Sequence, residues 1–339
     1  MLILVGDIGG TNTRLRLIKL IRGRDYDILR QAEYASGDYP DLAPIVADFL
    51  TCLGHGRVDA ACFAIAGPVI GNTSRLTNLD WYLEGDRLAA ALKLPKVGLI
   101  NDFAAVCYGV QSLVPADLSV LQEGMPLSDT PVGVIGAGTG LGEGFLIPQG
   151  DDYQIFATEG GHADFAPRSQ LELELLDYLM QKYQTDHVSV ERVVSGQGIV
   201  AIYQFLRDKA FVPESLEIGQ QIRDWEQQTT GGGKRIDAAA IIATAAMDKR
   251  DRLCEQTLQI FVEAYAAEAG NFALKLLPFG GLYLAGGIAP KLLPLFQDDR
   301  FMSVFRQKGR LSPLLERIRV QIILNQQVGL QGSILYALR

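Results

Sequence analysis

Four stretches of this chain combine carboxylates, amides, an imidazole and glycines at spacings that suit chemistry. The first is Leu2-Ile3-Leu4-Val5-Gly6-Asp7-Ile8-Gly9-Gly10-Thr11-Asn12. Its apolar run reads as a buried strand, and it delivers Asp7 into a glycine pair followed by a hydroxyl and an amide. Gly9 and Gly10 have no Cβ, so the backbone can turn tightly and admit a polyphosphate to its N–H groups. A carboxylate at the strand end can hold a hydrated Mg²⁺ beside those phosphates. An ordinary Asp/Gly β-turn with no ligand is the competing reading.

Asn101 and Asp102 end a second apolar run. Either residue can cap the helix that starts near Phe103. Alternatively, Asp102 is a general base that takes a proton from a substrate hydroxyl during phosphoryl transfer. The third stretch, Glu159-Gly160-Gly161-His162-Ala163-Asp164-Phe165, holds two carboxylates and one of only three histidines. Mixed donors and acceptors of this kind suit the hydroxyls of a sugar. A divalent metal is the rival ligand, but no second histidine or cysteine is near in the sequence. The fourth, Glu191-Arg192-Val193-Val194-Ser195-Gly196, opens a short helix with a carboxylate and then breaks at Ser-Gly. Surface charge at a helix start accounts for Glu191 equally well. His55 and His187 stand in polar contexts with no assigned role, and Leu76-Thr77-Asn78-Leu79-Asp80-Trp81 reads as loop packing.

Two further strand-to-glycine junctions support a nucleotide site. Gly138-Thr139-Gly140 follows Val132–Ile135, and Gly286-Gly287 follows Gly281–Ala285. Each additional glycine costs folding entropy that a close backbone approach can offset. Neither a G-x-x-x-x-G-K-[ST] nor a G-x-G-x-x-G match occurs, which argues against P-loop and Rossmann sites.

The elements that position these residues fall into two similar series. Three hairpin-linked strands (the opening run, Thr13–Leu17, Tyr26–Tyr34) precede a helix capped by Asp41, with apolar residues from Leu42 to Leu53 and Gly54 as its stop. A strand at Val58–Ala64, a loop from Gly67 to Asn78, a helix at Asp86–Leu92 and a strand at Val97–Ile100 follow. The second series has strands at Val132–Ile135, Glu143–Ile147 and Tyr153–Ala157. Next come a capping box at Ser169–Glu172 and helices at Asp237–Met247 and Asp251–Leu276. Strands at Gly281–Ala285 and Val320–Leu324 and a helix at Gly329–Leu338 complete it. Thr229–Lys234 reads as a mobile loop. This duplicated β-β-β-α-β unit implies an α/β fold of two related lobes around a nucleotide in the cleft.

Length and composition set outer bounds. A chain of 339 residues exceeds the usual single core. Lys+Arg 31 against Asp+Glu 39 leaves a net charge of −8, so nucleic acid and anionic membranes are not expected partners. Cys52, Cys62, Cys107 and Cys254 form no C-x-x-C pair and read as reduced core residues of a cytoplasmic protein. No leader peptide, and no apolar run near the roughly 20 residues of a membrane span, is visible.

In their order along nearly the whole chain, these motifs resemble those of the bacterial glucokinase family of the hexokinase/actin-like superfamily. The glycine turns are common to the superfamily. The Glu159–Pro167 and Glu191–Gly196 runs are more specific to glucokinases. The resemblance implies a two-lobed ribonuclease H-like (actin-like ATPase) fold of duplicated βββαβα units with an interlobe cleft. The small domain would comprise residues 1–108 completed by 321–339, and the large one residues 109–320. It implies that glucose meets Asn101, Asp102, Glu159, His162 and Glu191, with Asp102 taking the proton of the 6-hydroxyl. ATP phosphates would lie on Gly6, Asp7, Ile8, Gly9, Gly10 and Thr11 and on Gly138, Thr139 and Gly140. Gly286 and Gly287 would lie against the adenosine. Mg²⁺ at Asp7 and a homodimer complete the expectation. The chain departs from the pattern at Gln197, where proline is common, and at Leu79, where histidine is common. It lacks the clustered cysteines of the related zinc-bearing sugar kinases and has no room before Leu2 for a helix-turn-helix. A kinase for another hexose and a non-sugar actin-like ATPase are the alternatives.

Overall fold

A computed structural model describes residues 1–22, 25–51, 57–76, 78–150, 152–228 and 236–339. Cys52, Leu53, Gly54, His55, Thr77 and the Thr229–Lys234 run lie outside the described residues.

The first sheet holds β1 (Leu2–Ile8), β2 (Asn12–Arg22), β3 (Asp25–Ala35), β4 (Ala60–Ile65) and, after a hairpin of β5 (Thr73–Leu76) and β6 (Trp81–Glu84), β7 (Val97–Asn101), in the order β3-β2-β1-β4-β7. β1 is antiparallel to β2 and parallel to β4, and β4 is parallel to β7. The second sheet takes β8 (Leu118–Gln122), β9 (Val132–Ala137), β10 (Leu141–Gln149), β11 (Asp152–Thr158), β12 (Gly281–Ala285) and β13 (Val320–Ile323). Its order is β11-β10-β9-β12-β13-β8, with β9 antiparallel to β10 and parallel to β12. Apart from the added β8, the two sheets are wound identically, three antiparallel strands followed by two parallel ones. That is the duplication the sequence pattern implies.

The helices are α1 (Leu42–Leu50), α2 (Gly85–Leu92), α3 (Asp102–Val110), α4 (Gln170–Tyr183), α5 (Gly196–Asp208), α6 (Leu216–Gln227), α7 (Ala238–Met247) and α8 (Arg252–Leu276). Short ones follow at Ile288–Lys291, Leu293–Phe296, Asp299–Arg306 and Ser312–Leu315 (α9–α12), then α13 (Val328–Ala337). Aspartates start several of them, as the sequence suggests. Asp41 accepts from Leu42 N at 2.7 Å, Asp237 from Ala240 N at 3.0 Å and Asp251 from Cys254 N at 2.8 Å. The capping box at α4 is offset. Ser169 accepts from Glu172 N at 3.2 Å, but Glu172 reaches back to Arg168 N at 2.6 Å, one residue earlier than the standard pattern.

Three segments differ from the sequence reading. The stretch from Gly67 to Asn78 is not all loop, because β5 (Thr73–Leu76) pairs with β6 (Trp81–Glu84) as an antiparallel hairpin. Trp81 is core, 3% exposed, with its Nε1 donating to Tyr39 O at 3.3 Å. The Ser195-Gly196 break is instead the start of α5, where Ser195 Oγ accepts from Gly198 N at 3.1 Å. α5 is buried from Gly198 to Leu206, and its short unbroken apolar run Ile199–Tyr203 reads in sequence as readily as a buried strand. β8 lies at the sheet edge, with none of its five residues fully buried, and leaves no apolar run to read.

The chain divides into two compact units, Met1–Leu118 with Gln154–Ala157 and Asn325–Arg339, and Ser119–Tyr153 with Thr158–Leu324. Each has its own core. In the first, β1 alternates strictly. Leu4 and Ile8 join Ile45 and Phe49 of α1 on one face, while Ile3 and Val5 join Ala105 of α3 and Ile334 of α13 on the other. α13 and α3 meet backbone to backbone. A Cβ on Gly332 would collide with Ala105 O, and one on Gly109 with Val328 O. Neither carbonyl can retreat without bending its helix, so Gly332→Ala is expected to destabilise the protein by about 2 kcal/mol, read as a lowered midpoint in urea at unchanged slope.

Candidate active site

The alternation of β1 carries Asp7 onto the Ile3/Val5 face, where the strand ends and the side chain is exposed. Its register partner is Arg14, while Arg16 sits opposite Val5. Partial withdrawal from water at the strand end raises the Asp7 carboxyl above its ordinary value, and the charges of Arg14 and Arg16 oppose that rise. Beyond it the turn closes with Gly9 N donating to Asn12 O at 3.0 Å. Ser36, which the sequence did not single out, braces this turn. Its Oγ donates to Gly9 O at 2.9 Å and its N donates to Thr11 O at 2.9 Å. Gly9, Gly10 and Thr11 remain solvent-accessible, whereas Gly6 and Ile8 point inward. A Cβ on Gly6 would stand 2.8 Å from Leu15 and Phe63, and Ile8 is fully buried. These two shape the strand from beneath, so Asp7 and residues 9–11 form the accessible part of the motif.

At the end of β7, Asn101 is the N-cap of α3. Its Oδ1 accepts from Phe103 N at 2.9 Å and Ala104 N at 3.0 Å. Its Nδ2 donates to Gly67 O and to Asp102 Oδ1, both at 3.1 Å. All four hydrogen-bonding positions of this amide are therefore taken by protein, and a sugar hydroxyl would have to displace one. Asp102 is exposed, and its Oδ1 also accepts from Phe103 N at 2.8 Å. Cap and carboxylate are thus separate residues.

In the second unit, Glu159 precedes a single 3₁₀ turn, Gly160–His162, and stands 3.9 Å from His162 Nε2, both side chains being exposed. The turn permits no side chain on its glycines. A Cβ on Gly161 would strike Leu141 O, and one on Gly160 would strike Glu143 Oε2. Glu191 lies on another 3₁₀ turn, Val190–Arg192, and its Oε2 accepts from Leu141 N at 2.9 Å while packing on Gly140. That bond aims the carboxylate, so Glu191 is more than surface charge. The two glucokinase-like runs are stitched together, with Phe165 N donating to Val188 O at 2.9 Å and Val190 N to Ala163 O at 2.8 Å.

His187, with no role assigned from sequence, braces this junction. Its Nδ1 contacts Asp164 Oδ1 at 2.8 Å and its Nε2 contacts the carbonyl of His162 at 3.1 Å. The loop separates the two histidines by 25 residues, and nothing in their spacing announces the contact. His187→Ala removes both contacts and should destabilise the protein by about 1 kcal/mol, read as a lowered midpoint in urea.

Of the other glycine junctions, Gly138 N donates to Gly140 O at 2.8 Å, closing a tight turn with open space over Gly138. Gly286 has φ +82°, and a Cβ there would meet the Ala137 backbone, while Gly287 opens onto free space at the start of α9. Among the described residues no group of three or more His, Cys, Asp or Glu is arranged to hold a metal ion, and no helix is long and apolar enough to cross a membrane.

The glucokinase family model matches residues 4–339. The chain is 58% identical to the glucokinase of Nostoc punctiforme over 338 residues, covering 100% of this chain and 99% of that one. It is 36% identical to the glucokinase of Photorhabdus laumondii, over 97% of this chain and 95% of that one. The crystal structure of a glucokinase from an Antarctic psychrotroph superposes with a TM-score of 0.79 at 29% identity, over 99% of this chain and 98% of that one. A ROK-family glucokinase from Streptomyces griseus, solved with glucose and AMPPNP, shares the fold at a TM-score of 0.64 and 19% identity, over 99% of each chain. Full-length matches at this level, on a twice-wound α/β fold of the actin-like type, place the chain in the glucokinase family of hexose-phosphorylating kinases.

Proposed function

We propose that this protein transfers the γ-phosphoryl group of ATP to the 6-hydroxyl of D-glucose, in the cytoplasm and as a homodimer. The observation that carries this reading is Asp102, a carboxylate fixed at a strand end by Phe103 N and Asn101 Nδ2 while Asn101 satisfies the helix start. In the reaction an oxygen of Asp102 accepts the proton of the 6-hydroxyl as its oxygen bonds to the γ-phosphorus, and the bond to the ADP oxygen breaks. Glu159, His162 and Glu191 bind the remaining hydroxyls, Glu191 being aimed by Leu141 N. Asn101 joins them by exchanging one of its protein bonds. Gly10 and Thr11, with Thr139 and Gly140, present backbone N–H groups to the phosphates, Gly9 and Gly138 close the two turns beneath them, and Gly286 and Gly287 let the adenosine approach. Arg14 and Arg16 add positive charge on the same face of the sheet as Asp7.

One exposed carboxylate at Asp7, with no cage of ligands around it among the described residues, fits an ion carried in on the nucleotide rather than a resident one. Asp7 would hold such a Mg²⁺, which would supply positive charge to neutralise the phosphate oxygens. The buried free thiols Cys62, Cys107 and Cys254 suit a reducing compartment.

A coupled assay of ADP release across a panel of hexoses tests the proposal. Glucose should give the highest kcat/KM, above mannose and the N-acylhexosamines. ADP release without sugar at the rate seen with it would point instead to a non-sugar ATPase.

A further inference from the structure

Glu143 has no part in the reaction above, yet it lies directly under the turn that carries Glu159 and His162. It projects from β10 into the second unit's interior, only 4% exposed, and its Oε1 is buried with no hydrogen-bond partner among the described residues. Its Oε2 fills the space a Cβ on Gly160 would need. The same residue holds the turn through its backbone. Thr158 Oγ1 donates to Glu143 O at 3.1 Å and accepts from Gly160 N at 3.1 Å. One residue therefore sets both the floor and the entry of the turn.

We propose that Glu143 is a positioning residue whose neutral carboxyl floors the sugar-binding turn, and that loss of its proton loosens the turn and weakens glucose binding. The inference rests on the reading that Glu159 and His162 contact the sugar.

The surroundings favour the proton. From α8, Glu268 faces Glu143 as a second buried acid, held by Asn271 Nδ2 at 3.0 Å. Lys275 lies 4.0 Å from Glu268, and Lys308 is tied to Asn271 Oδ1 at 2.6 Å, so both cations serve Glu268 more directly than Glu143. Tyr265, also on α8, spends its hydroxyl on Ile135 O at 3.1 Å. From β9 the register partner of Glu143 is Ile135, which is apolar. The turn itself carries Glu159 and His162, both with exposed side chains. Burial, with Glu268 adding to it and Lys275 opposing, pushes the Glu143 carboxyl up to about 7. A carboxylate formed here has a buried oxygen with no donor among the described residues, beside another acid. The nearest backbone able to yield is the Thr158–Gly160 corner, since β10 is fixed in the sheet by its pairing to β9.

The test is the pH dependence of the glucose KM at saturating ATP from pH 6 to 9. The wild-type KM should rise above a midpoint near 7, by up to about tenfold per pH unit, with kcat at saturating glucose unchanged. Glu143→Gln, neutral and of the same shape, should keep the low KM and lose the alkaline rise. Glu268→Gln removes the neighbouring acid and should move the midpoint to lower pH. A flat wild-type profile, or an alkaline rise retained in Glu143→Gln, would overturn the proposal. Should Glu143→Gln fail to fold, an unmoved midpoint in Glu268→Gln overturns it equally. Glu159→Gln, assayed at pH 6.5, separates the underlying reading. A raised KM there keeps the turn as a sugar site, and an unchanged one removes the site and this role of Glu143 with it.

Discussion

Asp102→Asn should lower kcat about 10²- to 10⁴-fold and leave ATP affinity intact. The substitution keeps an oxygen to accept from Phe103 N and removes only the capacity to take up a proton. Asn101, not Asp102, caps α3, so the helix start survives and the melting temperature should hardly move. That separation makes the variant decisive, since a lost cap and a lost base give different results. Steady-state kinetics beside calorimetric ATP titration would measure both. Turnover within a few fold of wild type would return Asp102 to a purely local role at the first turn of the helix.

Glu143→Gln should also change how stability depends on pH, with no sugar present. The folded protein holds the Glu143 proton up to about 7, while an unfolded chain releases it near the ordinary value of 4.5. Between these values the native state binds more protons, so the contribution of Glu143 to stability is fully present below pH 4.5 and falls as pH rises through 7. A separation of this size corresponds to about 3 kcal/mol. The stability difference between Glu143→Gln and wild type should therefore widen by about that much from pH 4.5 to pH 8 in urea melts. A constant difference across the range would mean that Glu143 ionises normally.

Much of this architecture is legible in the sequence for identifiable reasons. Strands such as Leu2–Ile8 and Val132–Ala137 are buried on both faces and read as continuous apolar runs. Asp41, Asp237 and Asp251 announce helix starts because a carboxylate satisfies the first free amides. What escaped has equally physical causes. The apolar run of α5, Ile199–Tyr203, is as short as that of a buried strand, and the β5–β6 hairpin alternates over only four residues per strand. At the candidate site, Asp102, Glu159 and Glu191 stand out by residue type beside glycines. Ser36, Glu143 and His187 do not, because their importance lies in contacts across 27, 17 and 25 residues that no local spacing encodes.

The glycine-keyed packing of α13 on α3 has a consequence for the timing of synthesis. The first unit draws on residues 1–118 and again on 325–339, with the second unit's residues translated in between. At common elongation rates those intervening residues, about 200 of them, take roughly 10–40 s to emerge. Throughout that interval Ala105 and Gly109 lack the helix that covers them, and the α3 segment that begins at Asp102 has only part of its support. The nascent chain therefore presents an unfinished apolar face to the cell's chaperones while the second unit is made. Activity should lag the completion of the second unit and begin only once Gly332 has reached its place.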